Sequence, residues 1–295
     1  MEAAAAVERL WPGRQATITV LPGGITNRNF RVDVDGEPLV LRMAGRDTEL
    51  LGIDRLAEHE ASLRAAAAGI GPEVIRYVAA EGWLVTRFIS GRPIPADEMR
   101  RPGVIGRVAA ALREVHAGGS VRGVFDAHEI VERYRLLAES RSGWLPAEFA
   151  AARLVSARIR EARGPQPQVL CHNDLLNGNF LDDGRVRIID WEYAAMGDRF
   201  FDLGNLSANH GFSVVEDRLL LDAYFGAATT AGLAALRLMR FMSDFREAMW
   251  GVVQGAISEL DFDFRGYAAE HFERLGLTAS EPEFEGYLAA VAERP

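Results

Sequence analysis

The residue types that could do chemistry cluster in CHNDLLNGNF at 171–180 and in IIDWEY at 188–193. Asp174 and Asn179 are five residues apart, and Asp190 comes eleven residues after Asn179. A carboxylate in such a loop can accept a proton, while an amide oxygen and a second carboxylate can together bind Mg²⁺. Asn, Asp and Gly are also common in plain surface turns, so a polar loop without a role is the competing interpretation.

A predicted hairpin would bring these side chains close together. Within FLDDGRVRIID, the pair Asp183-Gly184 indicates a tight turn between two short strands. Folding the chain back at this turn brings Asn179, before the first strand, beside Asp190, at the end of the second. Asp174 lies upstream in the same loop. A proton acceptor next to two hard oxygen ligands is the arrangement that phosphoryl transfer requires.

The elements before this loop are predicted to form a small β-rich unit. Alternating apolar residues over 17–43 surround Asp35-Gly36, which is typical of a hairpin. Residues 53–69 predict a helix that ends in glycine. A second hairpin follows, with its turn at Glu81-Gly82.

The rest of the chain is predicted to be mainly helical. Breaker residues at 90–93 come first, and helices are then predicted at 102–117, 126–140 and 146–162, a strand at 168–171, and further helices over about 200–292. The sequence therefore predicts an α+β protein with two lobes. The N-lobe spans 1–89, the C-lobe spans 90–295, and a ligand cleft is expected between them.

Composition narrows the class of protein. The net charge of −9 argues against a binder of duplex nucleic acid, which usually presents a basic surface. All 33 basic residues are Arg, so no step can use a lysine. The single cysteine, Cys171, excludes an intramolecular disulfide. No run approaches 18 apolar residues and the start does not resemble a signal peptide, so we expect a cytoplasmic protein without membrane insertion.

Several motifs together resemble those of a known family. CHNDLLNGNF and IDWEYA are similar to the catalytic and metal-binding motifs of choline/ethanolamine kinases, in the aminoglycoside-phosphotransferase-like branch of the protein-kinase fold. The resemblance extends in order over about 20–275, through LPGGITNRNFRV, LVLRMAG, IDRLAE with GIGPEVI, FREAMWGVVQ and GYA. It implies a two-lobed protein-kinase-like fold, with ATP and Mg²⁺ bound between the lobes.

The resemblance implies roles for the central residues. Asp174 would be the catalytic base, in a loop that His172 helps to hold. Asn179 and Asp190 would bind Mg²⁺, and Arg42 would contact the nucleotide phosphates.

The family motif implies that Glu58 orients Arg42 from the predicted helix. Helical periodicity supports a different residue, because Leu56, Glu60, Leu63 and Ala67 fall on one face. Glu58 is therefore the first prediction and Glu60 the alternative.

The nucleotide-covering segment is implied by the same resemblance. Gly23, Gly24, Thr26 and Asn27 would cover the phosphates with backbone N–H groups and short side chains. Residues 86–89, including Phe88 and Ile89, would form the hinge that contacts adenine. Asp202, in FFDLGN, would brace the catalytic loop.

The acceptor site is predicted from acids and aromatic rings, which together suit a quaternary ammonium group. The matching positions are Glu192, Tyr193, Trp250 and Tyr267. The competing interpretation is that these aromatic residues belong to the core. The sequence assigns Phe245, Phe262 and Phe264 to the core.

Two positions depart from the family pattern: Asn209 stands where Glu is common, and Glu247 stands where Trp is common. The first prediction is an ATP-dependent kinase for the hydroxyl of a small cationic amino alcohol, with choline favoured. The alternatives are a kinase for ethanolamine, thiamine or an aminoglycoside, or a nucleotide-binding module without activity. The complete set of Arg42, Asp174, Asn179 and Asp190 argues against the inactive module.

Overall fold

The computed structural model describes residues 2–22, 26–141 and 144–292. Of these described residues, those up to position 89 form two α-helices and five strands. In order these are α1 (Glu2–Leu10), β1 (Ala16–Leu21), β2 (Asn27–Val34), β3 (Glu37–Ala44), α2 (Arg55–Ala67), β4 (Val74–Val78) and β5 (Trp83–Arg87). A short 3-10 helix, Thr48–Leu51, precedes α2.

The five strands form one antiparallel sheet in the order β1-β2-β3-β5-β4. The predicted hairpin turn between β2 and β3 is confirmed: Asp35 and Gly36 have φ of 49° and 86°. Both values are left-handed, as the two-residue turn that matches strand twist requires. One face of the sheet packs against the buried side of α1, at Ala6, Val7 and Leu10.

Helix α2 lies where the sequence predicted it, but its inward face is different. The face predicted from periodicity is wrong, because Leu56 is 42% exposed and Leu63 is 46% exposed. The residues that face inward are small or charged: Ala57, Glu58, Ala61, Ser62 and Ala65. Apolar periodicity failed here because this helix packs closely through alanines and delivers a carboxylate to the interior.

The second part of the chain is mainly helical, with short strands around the loop of interest. Its elements are β6 (Arg92–Pro93), α3 (Pro102–His116), β7 (Val124–Phe125), α4 (Ala127–Arg141), α5 (Phe149–Arg163), β8 (Gln168–Cys171), β9 (Phe180–Asp182), β10 (Val186–Ile188), β11 (Ala195–Asp198), α6 (Arg199–Asn209), α7 (Val214–Phe225), α8 (Thr230–Ile257), α9 (Phe264–Ala279) and α10 (Phe284–Ala292).

The short strands frame the polar loop. Strands β9 and β10 pair through the turn at Asp183-Gly184, which confirms the predicted hairpin, and β6 adds to its edge. Strand β8 pairs with β11, which in turn pairs with β7. The loop 172–179 therefore leaves one small sheet and enters another, so both of its ends are fixed.

Helix α8 forms the centre of the C-lobe core and packs against α4, α6 and α9. Phe245 and Phe264 are buried, as predicted. The prediction for Phe262 is wrong, because this side chain is 46% exposed. It lies in the connection between α8 and α9, where its ring contacts Phe264 and Tyr267 from outside.

The protein thus has the predicted α+β fold, with a sheet-based lobe followed by a mainly helical one. The boundary near residue 89 and the cytoplasmic location stay predictions. Among the described residues, no single helix is long and apolar enough to cross a membrane. The pair α7 and α8 has the required length and composition when combined, but the two helices meet at a bend of 116°.

Candidate active site

The loop after β8 is held by side chains of α6. Asp202 is fully buried, and its two carboxylate oxygens accept hydrogen bonds from the backbone N–H groups of His172, at 2.8 Å, and Asn173, at 2.7 Å. Asn205, one turn later, accepts from the N–H of Leu175 at 2.6 Å. Asn173 has a left-handed φ of 66°, which these bonds stabilise. The backbone on both sides of Asp174 is therefore fixed.

Asn209 is the third residue of α6 that contacts this loop. Its side-chain amide donates to the carbonyl of Leu175 at 3.3 Å. Asn209 thus supports the loop from the end of α6 and supplies no negative charge to an acceptor site.

His172 supports the loop through its ring. Its Nδ1 accepts a hydrogen bond from the N–H of Asp174 at 3.2 Å, and its Nε2 lies 3.0 Å from the carbonyl of Ile189. These partners assign the tautomer with hydrogen on Nε2, and burial lowers the pKa of His172, which keeps the ring neutral. His172 therefore acts as a positioning residue that ties the loop to the end of β10.

Asp174 is only 8% exposed. Its Oδ1 lies 3.6 Å from Nη1 of Arg246 on α8. Burial raises the pKa of the Asp174 carboxyl well above its usual range, and the charge of Arg246 opposes this shift. A carboxylate with a raised pKa is a stronger base, which suits a group that takes a proton from a hydroxyl.

Asn179 and Asp190 lie on adjacent chain segments, as the hairpin predicts. The N–H of Ile189 donates to the carbonyl of Asn179 at 3.0 Å, and Asp190 follows with a left-handed φ of 65°. The Asn179 side-chain nitrogen donates to the Asp174 carbonyl at 2.8 Å, which directs its amide oxygen away from that carbonyl. One amide oxygen and one carboxylate on adjacent chain segments form a donor set that fits Mg²⁺.

Arg42, on β3, joins the two lobes. It forms a buried ion pair with Glu58 of α2, and its Nη1 lies 3.2 Å from Asp190 Oδ1. The alternative partner, Glu60, instead pairs with Arg122 at 2.9 Å on the surface. The structure therefore places Glu58, not Glu60, beside Arg42.

The nucleotide-covering segment is described only in part. Gly23 and Gly24 lie outside the described residues. Thr26 and Asn27 both donate to the carboxylate of Glu192, the Asn27 amide at 2.8 Å. The resemblance predicts that Glu192 contacts the acceptor, but in the structure it faces the N-lobe, where both of its oxygens accept hydrogen bonds.

Some groups of the predicted hinge already bond to or pack against other residues of the protein. The N–H of Phe88 donates to the carbonyl of Pro38 at 3.1 Å, and the Phe88 ring stacks 4.6 Å from the Arg31 guanidinium. A role for Phe88 at adenine would therefore use its carbonyl or its ring. The role of Ile89 stays a prediction.

The three predicted aromatic residues of the acceptor site come together. Trp250 Nε1 donates to the Tyr193 hydroxyl at 3.0 Å, and the Trp250 and Tyr267 rings pack edge to face at 5.5 Å. The Tyr267 hydroxyl donates to Glu247 Oε2 at 2.9 Å. Glu247 is buried, so it faces this cluster and not solvent.

Two arginines of the site were missed by the sequence reasoning. Arg246 pairs with Glu247, and its guanidinium carbon lies 4.3 Å from the centre of the Tyr193 ring. Arg55 contacts Glu58 at 2.9 Å and Glu192 at 3.4 Å. The sequence gave no signal for either residue: Arg246 is one of three arginines in α8, and Arg55 lies at the start of α2.

Comparison with known proteins agrees with this geometry. The family model of the APH phosphotransferase enzyme family matches residues 17–239. A crystal structure of a choline/ethanolamine kinase family protein from Mesorhizobium loti is 34% identical, has a TM-score of 0.86, and overlaps 99% of each chain. Mouse ethanolamine kinase 2 is 27% identical over 90% of this chain and 76% of its own.

Choline kinase LicA from Streptococcus pneumoniae has the same fold, with a TM-score of 0.78 at 22% identity over 94% of this chain and 97% of its own. The match to the family model covers most of the chain, and the Mesorhizobium loti relationship covers nearly all of it. The chain belongs to the choline/ethanolamine kinase family, within the aminoglycoside-phosphotransferase-like group of protein-kinase-like folds, and is a phosphotransferase that acts on an alcohol.

Proposed function

We propose that this enzyme transfers the γ-phosphoryl group of Mg-ATP to the hydroxyl of a small cationic amino alcohol. The observation that carries the proposal is the position of Asp174. Its carboxylate lies in a loop fixed from both ends, with Asn179 directly bonded to its backbone on one side and Arg246, which packs on the Tyr193 ring, on the other. A base between metal ligands and an acceptor site is the order that the reaction needs.

The nucleotide side of the site is assigned to Arg42, Asn179 and Asp190. Arg42 would bind phosphate oxygens, and its buried Nε has no hydrogen-bond partner among the residues that the structure describes. Asn179 and Asp190 would hold Mg²⁺, which neutralises phosphate charge when it is bound. Arg42 contacts Asp190, so the residue that would bind phosphate lies beside a residue that would hold the metal.

Asp174 takes the proton in the proposed reaction. The acceptor oxygen forms a bond to the γ-phosphorus as the bond from that phosphorus to the β,γ-bridging oxygen breaks, and ADP leaves. The hydroxyl proton goes to the Asp174 carboxylate. His172 and Asp202 contribute by holding the backbone that presents this carboxylate, without contacting the reacting atoms.

The acceptor is assigned to the cluster of Tyr193, Trp250, Tyr267 and Glu247. Aromatic faces and a buried carboxylate together attract an ammonium group. Arg246 offsets one negative charge of the pair Asp174 and Glu247, so this group of three keeps a net charge of about −1 when all are ionised. A single positive charge on the acceptor balances it. Choline is the first acceptor that we propose, and ethanolamine is the second.

The test is a coupled assay that follows ADP release from Mg-ATP, with choline, ethanolamine, thiamine, an aminoglycoside and a sugar offered separately. We expect turnover with choline or ethanolamine and none with the sugar. Detection of the phosphorylated alcohol in equal amount to ADP excludes simple ATP hydrolysis. Turnover confined to thiamine, the aminoglycoside or the sugar would contradict the proposed acceptor class while leaving the kinase assignment in place.

A further inference from the structure

Glu192 ties the segment that carries Asp190 to the N-lobe. It is 5% exposed, and one carboxylate oxygen accepts from the Thr26 hydroxyl. The other accepts from the Asn27 amide at 2.8 Å. Because Glu192 comes two residues after Asp190, these bonds connect the beginning of β2 directly to the proposed metal-binding segment.

Arg55 reinforces this connection from the first position of α2. Its Nη2 donates to the Asn27 amide oxygen at 2.9 Å and to the Thr48 hydroxyl at 3.0 Å. Its Nη1 donates to Glu58 at 2.9 Å and lies 3.4 Å from Glu192. One guanidinium group therefore joins β2, the 3-10 helix, α2 and the C-lobe.

These contacts close a ring of two arginines and three acids. Arg55 contacts Glu58, Glu58 contacts Arg42, Arg42 contacts Asp190, and the chain from Asp190 to Glu192 returns to Arg55. Buried ion pairs depend strongly on geometry, and removal of one partner leaves the other charge unpaired. A change at Arg55 is therefore transmitted to Arg42 and to the backbone of Asp190.

We infer that Arg55 is a positioning residue for the nucleotide side of the site, acting through Glu192 and Asn27. The inference rests on the proposed function, because it takes Arg42 and Asp190 as the phosphate and metal contacts. Within the described part of the chain, none of the contacts of Arg55 involves the aromatic cluster. Loss of Arg55 should therefore weaken Mg-nucleotide binding and affect the amino alcohol much less.

The experiment measures Mg-ADP binding by calorimetry in the full chain, alongside the Michaelis constants for ATP and for the acceptor. For Arg55→Met and for Glu192→Gln we expect the Kd of Mg-ADP to rise about tenfold, the effect of losing one charge-assisted hydrogen bond. Arg55→Lys should recover part of the affinity, because it restores the charge but not the fork of donors. The double variant should have a Kd for Mg-ADP no more than about twofold above that of the weaker-binding single variant, because the effects of two coupled residues are not additive.

Arg122→Met is the matched control, because it breaks an exposed ion pair with Glu60, which lies on α2 as Arg55 does. It should leave the Kd of Mg-ADP within about twofold of the unmodified chain, as surface pairs contribute little. Unchanged Kd in both Arg55→Met and Glu192→Gln, with only a lower melting temperature, would show a structural role and overturn the inference. Additive effects in the double variant would also overturn it.

The result separates this inference from the proposed function. If the unmodified chain binds Mg-ADP but phosphorylates no amino alcohol, the acceptor assignment fails and the Kd comparison still decides the role of Arg55. If the unmodified chain binds no Mg-nucleotide, both the inference and the proposed function are wrong.

Discussion

The substitution Asp202→Asn tests whether Asp202 holds the loop 172–179, which carries Asp174, in its catalytic position. Asp202 accepts three hydrogen bonds: from the N–H of His172 at 2.8 Å, from the N–H of Asn173 at 2.7 Å and from the His116 ring at 3.0 Å. Asparagine offers only one acceptor oxygen in the same space. In the more favourable orientation, the amide oxygen takes the place of Oδ2 and keeps the bonds from His172 and His116. The NH₂ group then faces the Asn173 N–H.

The expected cost follows from that mismatch. One buried N–H loses its acceptor, and the two remaining bonds lose their charge, which together cost about 2–4 kcal/mol of folding free energy. The loop backbone must also shift to relieve the contact between two donors. A displacement of about 1 Å at a reacting group lowers rate by roughly 100-fold, so kcat should fall by at least that factor.

Asp217→Asn is the matched control for this effect. Asp217 is equally buried and accepts hydrogen bonds from Ser207 and from Arg237, the latter at 3.1 Å, but these partners lie on α6 and α8 and not in the loop 172–179. It should lose stability by a similar or larger amount and keep its kcat. Chemical denaturation and steady-state kinetics on both variants make the comparison. A normal kcat in Asp202→Asn, with lost stability as in Asp217→Asn, would refute this role of Asp202.

Three further predictions test other parts of the site. Trp250→Ala should raise the Michaelis constant for a quaternary ammonium acceptor far more than that for ATP, because Trp250 lies in the aromatic cluster; equal changes in steady-state kinetics would make it a core residue. Glu58→Gln should raise the Michaelis constant for ATP about tenfold or more, since it weakens a buried ion pair with Arg42, whereas Glu60→Gln should change it less than about twofold; equal effects would contradict the assignment of Glu58. Burial lowers the pKa of His128 from 6.5 to about 4, so the unfolded chain binds a proton first as pH falls, and stability should drop between those values by at most about 3 kcal/mol. His128→Asn should remove that part of the pH dependence in denaturant titrations, and an unaltered slope would contradict it.

The conformational preferences of neighbouring residues explain much of what the sequence predicted correctly. The Asp35-Gly36 and Asp183-Gly184 pairs specify their turns through the conformations that these residues favour, and the second turn brings Asn179 near Asp190.

Contacts between distant residues could not be predicted in the same way. Thr26 and Glu192 are 166 positions apart, and Arg42 and Asp190 are 148 apart, so no local pattern relates them. The ring through Arg55 depends on how the lobes meet. Glu192 was consequently assigned to the acceptor, although its carboxylate turns toward the N-lobe.

The inward face of α2 illustrates a second limit. Periodicity weighs large apolar residues, and in this helix they lie outside while alanines and Glu58 lie inside. The motif identified Glu58 because it depends on a specific functional residue and not on average hydrophobicity.

Phosphoryl transfer by Asp174→Asn tests the central claim most directly. The variant is compared with the unmodified chain by measuring phosphorylated amino alcohol formed from Mg-ATP, with Mg-ADP binding measured on the same samples. The asparagine cannot take the hydroxyl proton, so transfer should fall by about 100-fold or more, while Mg-ADP binding stays within a few-fold. Near-normal transfer in Asp174→Asn, with the same product, would contradict the assignment of Asp174 as the base.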